Sequence, residues 1–518
     1  MELHTFSVHK EQVKGKASTQ VTFDEDYNLA DYKPDFSALI MSQGRIRMEE
    51  TKVTEGHVTL KGSLKFEILY RTDQAELGVC SLEGSVPFVE TLAVDEAEEF
   101  DTAQVTCTLE DLSVNMTNSR KLGIRALMGL GVCVSAFQTE NFPKGMKEEG
   151  AIQVMNRPLK CLHVSAEGKD QCRIHEELEL PADKQNIREI LWKQIRMQAV
   201  LAKPENGKVR IQGEIVVFFL YVGEPKTRLE WYETTIPVVC DLEVPRAEAE
   251  QICYVRAEVQ DWNIQSQEDL EGEMRVFGLD GALKVDYRLY EEREEPMLAD
   301  LYALDRTLTP VLESVHLEQL LMKNESRCKV SDTLMLEEGQ KEILQICSCF
   351  GNVQLDHMEP VEDGILVEGA VHVQVLYVTQ EDRVPLDAAE GMLPFSYKIE
   401  APGIQKESRV ELHTGLALMS VMMKSANILE LQAMINFNVM VFLPEEIARI
   451  SSVGEEPADL EVLQQMPGMI GLRTVPGDSL WRIAKEHHTT MENIRNTNPD
   501  LKEPLAEGTE ILLQKQIW

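Results

Sequence analysis

Three segments of this chain superimpose without gaps: GSLKFEILY at Gly62 to Tyr70, GEIVVFFLY at Gly213 to Tyr221 and GAVHVQVLY at Gly369 to Tyr377. Their tyrosines stand 151 and 156 residues apart. A unit written three times is folded three times, so the repeat fixes the architecture before any single residue is weighed. Two further marks keep the same register. A turn dipeptide precedes each segment, Glu55-Gly56, Asn206-Gly207 and Asp363-Gly364, of the kind that closes β-hairpins because glycine accepts positive φ. Pro87, Pro237 and Pro394 follow the tyrosines by 17, 16 and 17 residues.

Within each segment the apolar positions alternate, as in Leu64, Phe66, Ile68 and Tyr70, which is the period of a strand with one buried face. The second copy also fills the intervening positions with Val216, Phe218 and Leu220, which predicts a strand covered on both sides. Ile187, Ile190 and Leu191 predict a short helix over Asn186 to Lys193, echoed at Lys341 to Ile346. Late apolar runs at Leu127 to Phe137, Gly281 to Tyr290 and Leu431 to Phe442 read as strands, although periodicity alone also permits a helix for the last. Polar stretches at Thr139 to Gly150, Glu291 to Pro296 and Ser451 to Gly468 read as boundaries. The expected fold is mainly β: units at 1–140, 155–295 and 305–447 with short helices, an acidic linker at 448–470, and an α+β tail at 471–518.

At 518 residues, three or four domains fit the usual size. The 51 Lys and Arg stand against 88 Asp and Glu, a formal charge of −37, which argues against nucleic acid or an anionic bilayer as a broad-surface partner. No run reaches the roughly 18 apolar residues of a membrane helix, and the first residues lack the apolar core of a signal peptide. Ten cysteines are scattered singly, signalling neither a zinc site nor a disulfide framework, and a reducing cytosol is the expected compartment.

The tail reads LRTVPGDSLWRIAKEHHTTMENIRNTNPDLKEPLAEGTEILL from Leu472 to Leu513. Asp478 or Ser479 stands at a helix N-cap before Leu480, Trp481, Ile483 and Ala484. Thr489 with Glu492 makes a capping box for a second short helix that stops at Asn498-Pro499. Leu472 to Val475 and Glu510 to Leu513 remain as flanking strands, giving βααβ. Two roles stay open for Asp478, Ser479 and Trp481: capping and packing, or ligand contact.

Gly477 to Trp481, Asn498-Pro499, Leu505, Gly508 and Ile511 together make this tail resemble a LysM module, a holder of N-acetyl-glucosamine (GlcNAc) polymers. Leu472 replaces a common aromatic and Thr474 a usual valine. The resemblance implies a ligand groove between Pro476, Gly477, Asp478 and Ser479 on one side and Asn498, Pro499, Asp500 and Leu501 on the other. Three repeats followed by LysM resemble the SipL family of spore-forming Firmicutes, with tandem SPOCS domains. That resemblance implies a spore morphogenetic scaffold in the mother-cell cytoplasm at the forespore surface. Its LysM module would grip the coat basement layer, a self-assembling ATPase of SpoIVA type, with peptidoglycan or another GlcNAc polymer as the alternative partner.

An enzyme is not expected. Histidines are mostly lone, and His487-His488 point about 100° apart on a helix end, poorly placed to share a metal. No P-loop, G-x-S-x-G or complete G-x-G-x-x-G occurs, so neither a cofactor nor a metal is expected. Glutamate pairs such as Glu98-Glu99 and Glu291-Glu292 do not recur between copies. The copies share strand, turn and tyrosine, hence packing. Tyr70, Tyr221 and Tyr377 are expected in the core rather than on a recognition stripe, and the methionines of the third copy as adaptable core filling.

Overall fold

The computed structural model describes residues 2–147, 152–381, 383–457 and 467–514. Copy 1 comprises β1 (Leu3–Asn28), β2 (Ala38–Thr54), β3 (His57–Arg71), β4 (Val79–Ala93), β5 (Thr102–Asn118) and β6 (Lys121–Met146). Copy 2 repeats them as β7 (Ile152–Glu179), β8 (Asn186–Glu205), β9 (Lys208–Glu224), β10 (Leu229–Glu243), β11 (Ile252–Gln267) and β12 (Val276–Ala303). Copy 3 does so as β13 (Arg306–Met335), β14 (Ile343–Val361), β15 (Gly364–Thr379), β16 (Leu386–Glu400), β17 (Arg409–Ser425) and β18 (Ile428–Pro457). Each copy is two antiparallel three-stranded sheets, β2-β3-β4 with β1-β6-β5 in the first and likewise in the others. The repeated segments are the central strands β3, β9 and β15. The three late apolar runs are strands within β6, β12 and β18.

The central strands show why the second copy is apolar on both faces. Ile215, Val217, Phe219 and Tyr221 fill the sandwich of copy 2 itself, whereas Phe218, Leu220 and Val222 point into a core shared by all three copies. Leu69, Leu220 and Leu376, equivalent by the repeat, meet there with Trp192 and Phe350, and the Phe218 and Phe350 rings lie 5.3 Å apart, edge to face. The chain is a pseudo-threefold assembly around that core. Tyr70, Tyr221 and Tyr377 are fully buried, and the hydroxyls of Tyr70 and Tyr221 donate to the Pro34 and Gln185 carbonyls at 3.1 Å. Pro87, Pro237 and Pro394 lie on β4, β10 and β16, edge strands where a missing N–H is tolerated.

Both expected helices are strands. In β8 the register shifts between Ile187 and Glu189 and again between Ile190 and Trp192; β14 shifts between Ile343 and Gln345 and between Ile346 and Ser348. Each bulge inserts a residue, so apolar side chains fall three apart and imitate a helical spacing. The third hairpin turn is also displaced. Gly56 and Gly207 take φ of 71° and 80°, but in copy 3 Asp363 takes φ 53° and Gly364 already pairs with Val361. Gly364 is needed for close approach, because a Cβ there would lie 2.7 Å from the Ile399 carbonyl oxygen.

Apart from Lys147, Pro467 and Gly468, the polar stretches read as boundaries are strand where they are described, and 148–150 and 458–466 lie outside the described residues. β5, β11 and β17 stop pairing at Ser135, Tyr290 and Phe442, but β6, β12 and β18 continue against β1, β7 and β13 as two-stranded ribbons. A lone ribbon is marginal in water. Here three pack together through the equivalent residues Val8, Leu159 and Val315, with Phe142, Met297 and Ile447. They form a stalk below the sandwiches.

Charged residues from all three copies meet where the stalk begins. Arg288 lies 3.1 Å from both Glu11 and Glu411, and Arg409 reaches Glu318 at 2.7 Å, pairs with Glu411 and stacks 3.9 Å over the Phe442 ring. The Glu11 side chain is 4% exposed. Further down, the buried His163 accepts a hydrogen bond on Nδ1 from the His9 backbone N–H at 3.1 Å, linking copies 1 and 2. Burial, then Arg293 and His9, lower its pKa to about 4. A depressed folded pKa contributes stability present above the unfolded value near 6.5 and lost as pH falls toward 4, by about 2–3 kcal/mol. Urea unfolding at pH 7 and pH 4.5 should therefore show the gap between the native chain and His163→Asn shifting in favour of Asn at the lower pH.

Cys172 and Cys240 form a disulfide between the two sheets of copy 2, Cα–Cα 6.3 Å. Their separation of 68 residues carried no signal of this link. Cys253 is a buried small side chain, while Cys107 and Cys133 are half-buried. In copy 3, Met419 and Met440 are buried but Met422 and Met423 are exposed, so core filling accounts for only part of that group. No helix among the described residues is long and apolar enough to cross a membrane.

Candidate functional site

The tail folds as β19 (Met469–Arg473), α1 (Leu480–Glu486), α2 (Met491–Thr497) and β20 (Glu510–Gln514), with β19 antiparallel to β20. β19 begins before Leu472 and stops at Arg473 because Thr474 turns inward. Its hydroxyl donates to the Ala506 carbonyl at 2.6 Å and accepts from the Thr509 N–H at 2.9 Å, a closure that valine has no atoms to make. Ser479 is the α1 cap, its Oγ accepting from the Arg482 N–H at 3.2 Å. Thr490, one residue later than expected, caps α2 by accepting from the Asn493 N–H at 3.0 Å; Thr489 is buried and accepts from the Asn493 side-chain amide.

The eight groove residues divide into two kinds. Asp478 Oδ2 accepts from the Val475 N–H at 2.8 Å and closes the first loop, where Gly477 takes φ 91°. Asn498 donates to the Ile494 and Leu512 carbonyls and accepts from the Leu512 N–H, each at 2.8 Å, stapling the end of α2 to β20. Leu501 is half-buried in the module's own cluster with Leu480 and Leu505. These three side chains, like the capping hydroxyl of Ser479, are committed to the fold. Pro476, Gly477, Ser479, Pro499 and Asp500 are exposed. Asn498→Ala should accordingly destabilise the module by about 1–3 kcal/mol, read as faster amide exchange at Leu512 with the β9 amides unchanged.

Trp481 is a packing residue in this structure. Only 8% exposed, it meets the Tyr302 ring edge to face at 4.9 Å and donates its indole N–H to Asp300 at 2.8 Å. Lys485 reaches the other Asp300 oxygen at 2.6 Å, and the Tyr302 hydroxyl donates to the Thr489 carbonyl at 2.8 Å. Burial pushes the Asp300 carboxyl up, but hydrogen bonds from Lys485 and Trp481 outweigh it and hold the group below the usual carboxylate range. Residues 481, 485 and 489 thus rest on the tip of the copy 2 ribbon, while the exposed loops flank the start of α1 and the end of α2. Asp300 and Tyr302 escape sequence reasoning because they stand some 180 residues from their partners. An aspartate and a tyrosine amid the apolar Leu298 to Leu304 run are the trace they leave.

The module is close to neutral, with six basic and seven acidic side chains from 471 to 518, so the copies carry nearly all of the −37. Among the described residues no group of His, Cys, Asp and Glu is placed to hold a metal ion.

The family described as SipL, SPOCS domain matches residues 35–117, 186–266 and 342–424, and the LysM domain matches 473–513. The chain has the SipL architecture. Each SPOCS match spans the middle strands, β2 to β5 in copy 1, and leaves out the long first and last strands that form the stalk. Neither a curated protein nor a solved structure matches the chain. SPOCS domains followed by LysM make this a sporulation-associated protein with a module of the peptidoglycan-binding type.

Proposed function

We propose that the chain is a non-catalytic scaffold of spore envelope assembly, tethering the coat basement layer, a SpoIVA-type ATPase, at the forespore surface through its LysM groove. The observation that carries this reading is the division of labour in the fold. Three sandwiches pack around one common core, while one near-neutral module carries the exposed loop residues Pro476, Gly477, Ser479, Pro499 and Asp500. A bulky acidic body favours basic or neutral partners met locally. A fluorescently tagged chain should gather around the forespore at engulfment, in the mother-cell cytoplasm; uniform mother-cell fluorescence would sink the idea.

A second reading keeps a GlcNAc polymer as the ligand, because the near-neutral module is the one part of the chain whose charge does not oppose an anionic wall polymer. Retention of the full chain on purified sacculi tests it, and absence of retention removes it. Either ligand should bind roughly tenfold or more weakly to Pro499→Trp and Asp500→Trp, which obstruct the groove without touching a committed hydrogen bond. Unchanged binding by both would place the contact elsewhere.

A further inference from the structure

We infer that Asp300 of copy 2 is a positioning residue for the LysM module, locking it to the stalk so that the groove faces one fixed direction. The inference rests on the docking geometry and not on what the groove binds. Three features single out Asp300. Its two carboxylate oxygens are divided between Trp481 and Lys485, at 2.8 and 2.6 Å, so one side chain holds two successive positions of one helix face. It directly follows a β-bulge: the ribbon register shifts between Leu298 and Asp300, and bulges re-aim the side chains beside them. The third feature is a break in the pseudo-symmetry. All three ribbons carry a bulge near the tip, but the residues after it in copies 1 and 3 are Gly145 and Ser452, neither able to bridge two donors in this way. Tyr302 and Leu304 complete the seat against Leu480, Trp481 and Ile483.

A module held by its back in this way turns with the whole particle. Methyl relaxation of the full-length chain tests this, with Ile483, Ile494 and Ile511 reporting on LysM and Ile215 and Ile435 on the copies. In the native chain both sets should show one slow correlation time. Asp300→Ala should raise the undocked population roughly 30-fold or more and give the LysM methyls a shorter correlation time, with their chemical shifts still dispersed. Asp300→Asn keeps an acceptor for Trp481 but loses the Lys485 ion pair, and should fall between the two. Independent motion in the native chain overturns the inference, as does slow motion in Asp300→Ala. If Asp300→Ala instead unfolds the module, Asp300→Asn decides: intermediate mobility supports the lock, and native mobility removes it. No ligand enters the measurement, so its failure would leave the proposed function standing.

Discussion

Replacing Arg409 by Met should destabilise the body by about 3–5 kcal/mol, because it leaves the buried Glu11 and Glu411 to share one base and strips the half-buried Glu318 of its counter-charge. The guanidinium serves Glu318 and Glu411 directly, lies 3.8 Å from Glu11, and covers the Phe442 ring. Met fills part of the volume and none of the charge. Arg288 remains on Glu11 and Glu411, but Glu318 loses its partner and two buried acids then share one base. A combined Arg409→Met, Glu411→Gln change should recover part of the loss, since a buried amide costs less than a buried unpaired carboxylate. Urea unfolding followed at both Trp192 and Trp262 checks this. A cost under about 1 kcal/mol would mean that water reaches the cluster and screens it.

Phe218→Ala should cost about 3–5 kcal/mol, and the more telling result is where the damage appears. Phe218 and Phe219 are neighbours on β9 with opposite duties: Phe218 enters the shared core against Phe350, and Phe219 enters the sandwich of copy 2 against Phe277. Loss of Phe218 should raise amide exchange on β3 and β15, in the other two copies. Loss of Phe219 should raise it mainly within copy 2. Equal exchange patterns for the two variants would show that the copies are not held through this core.

Much of this fold was legible in local pattern. Alternation located the central strands, the doubly apolar run at 215–221 foretold burial on both faces, and the prolines kept the register of the repeat. The pattern misleads where it is broken or its partner is remote. Bulges in β8 and β14 turned a period of two into an apparent three, so strands read as helices. The stalk ribbons scatter apolar residues among charged ones, and without a sheet behind them they looked like punctuation; the equivalence of Val8, Leu159 and Val315 betrays them. In the tail the βααβ order and a cap at Asp478 or Ser479 were readable, but Asp478 and Asn498 cannot be told from ligand contacts until their backbone partners are seen. The Trp481 seat is beyond any local rule, its partner lying 181 residues away.

Three linked copies escape a restriction that binds identical subunits. A homotrimer must repeat one side chain at every matching place about its axis, yet here Glu67, Phe218 and Gln374 occupy equivalent positions beside the shared centre. An acid, an aromatic and an amide stand where identical subunits would set three of a kind. The same licence extends to the outer surfaces, so each copy is free to fit a different neighbour while the trio stays in fixed stoichiometry.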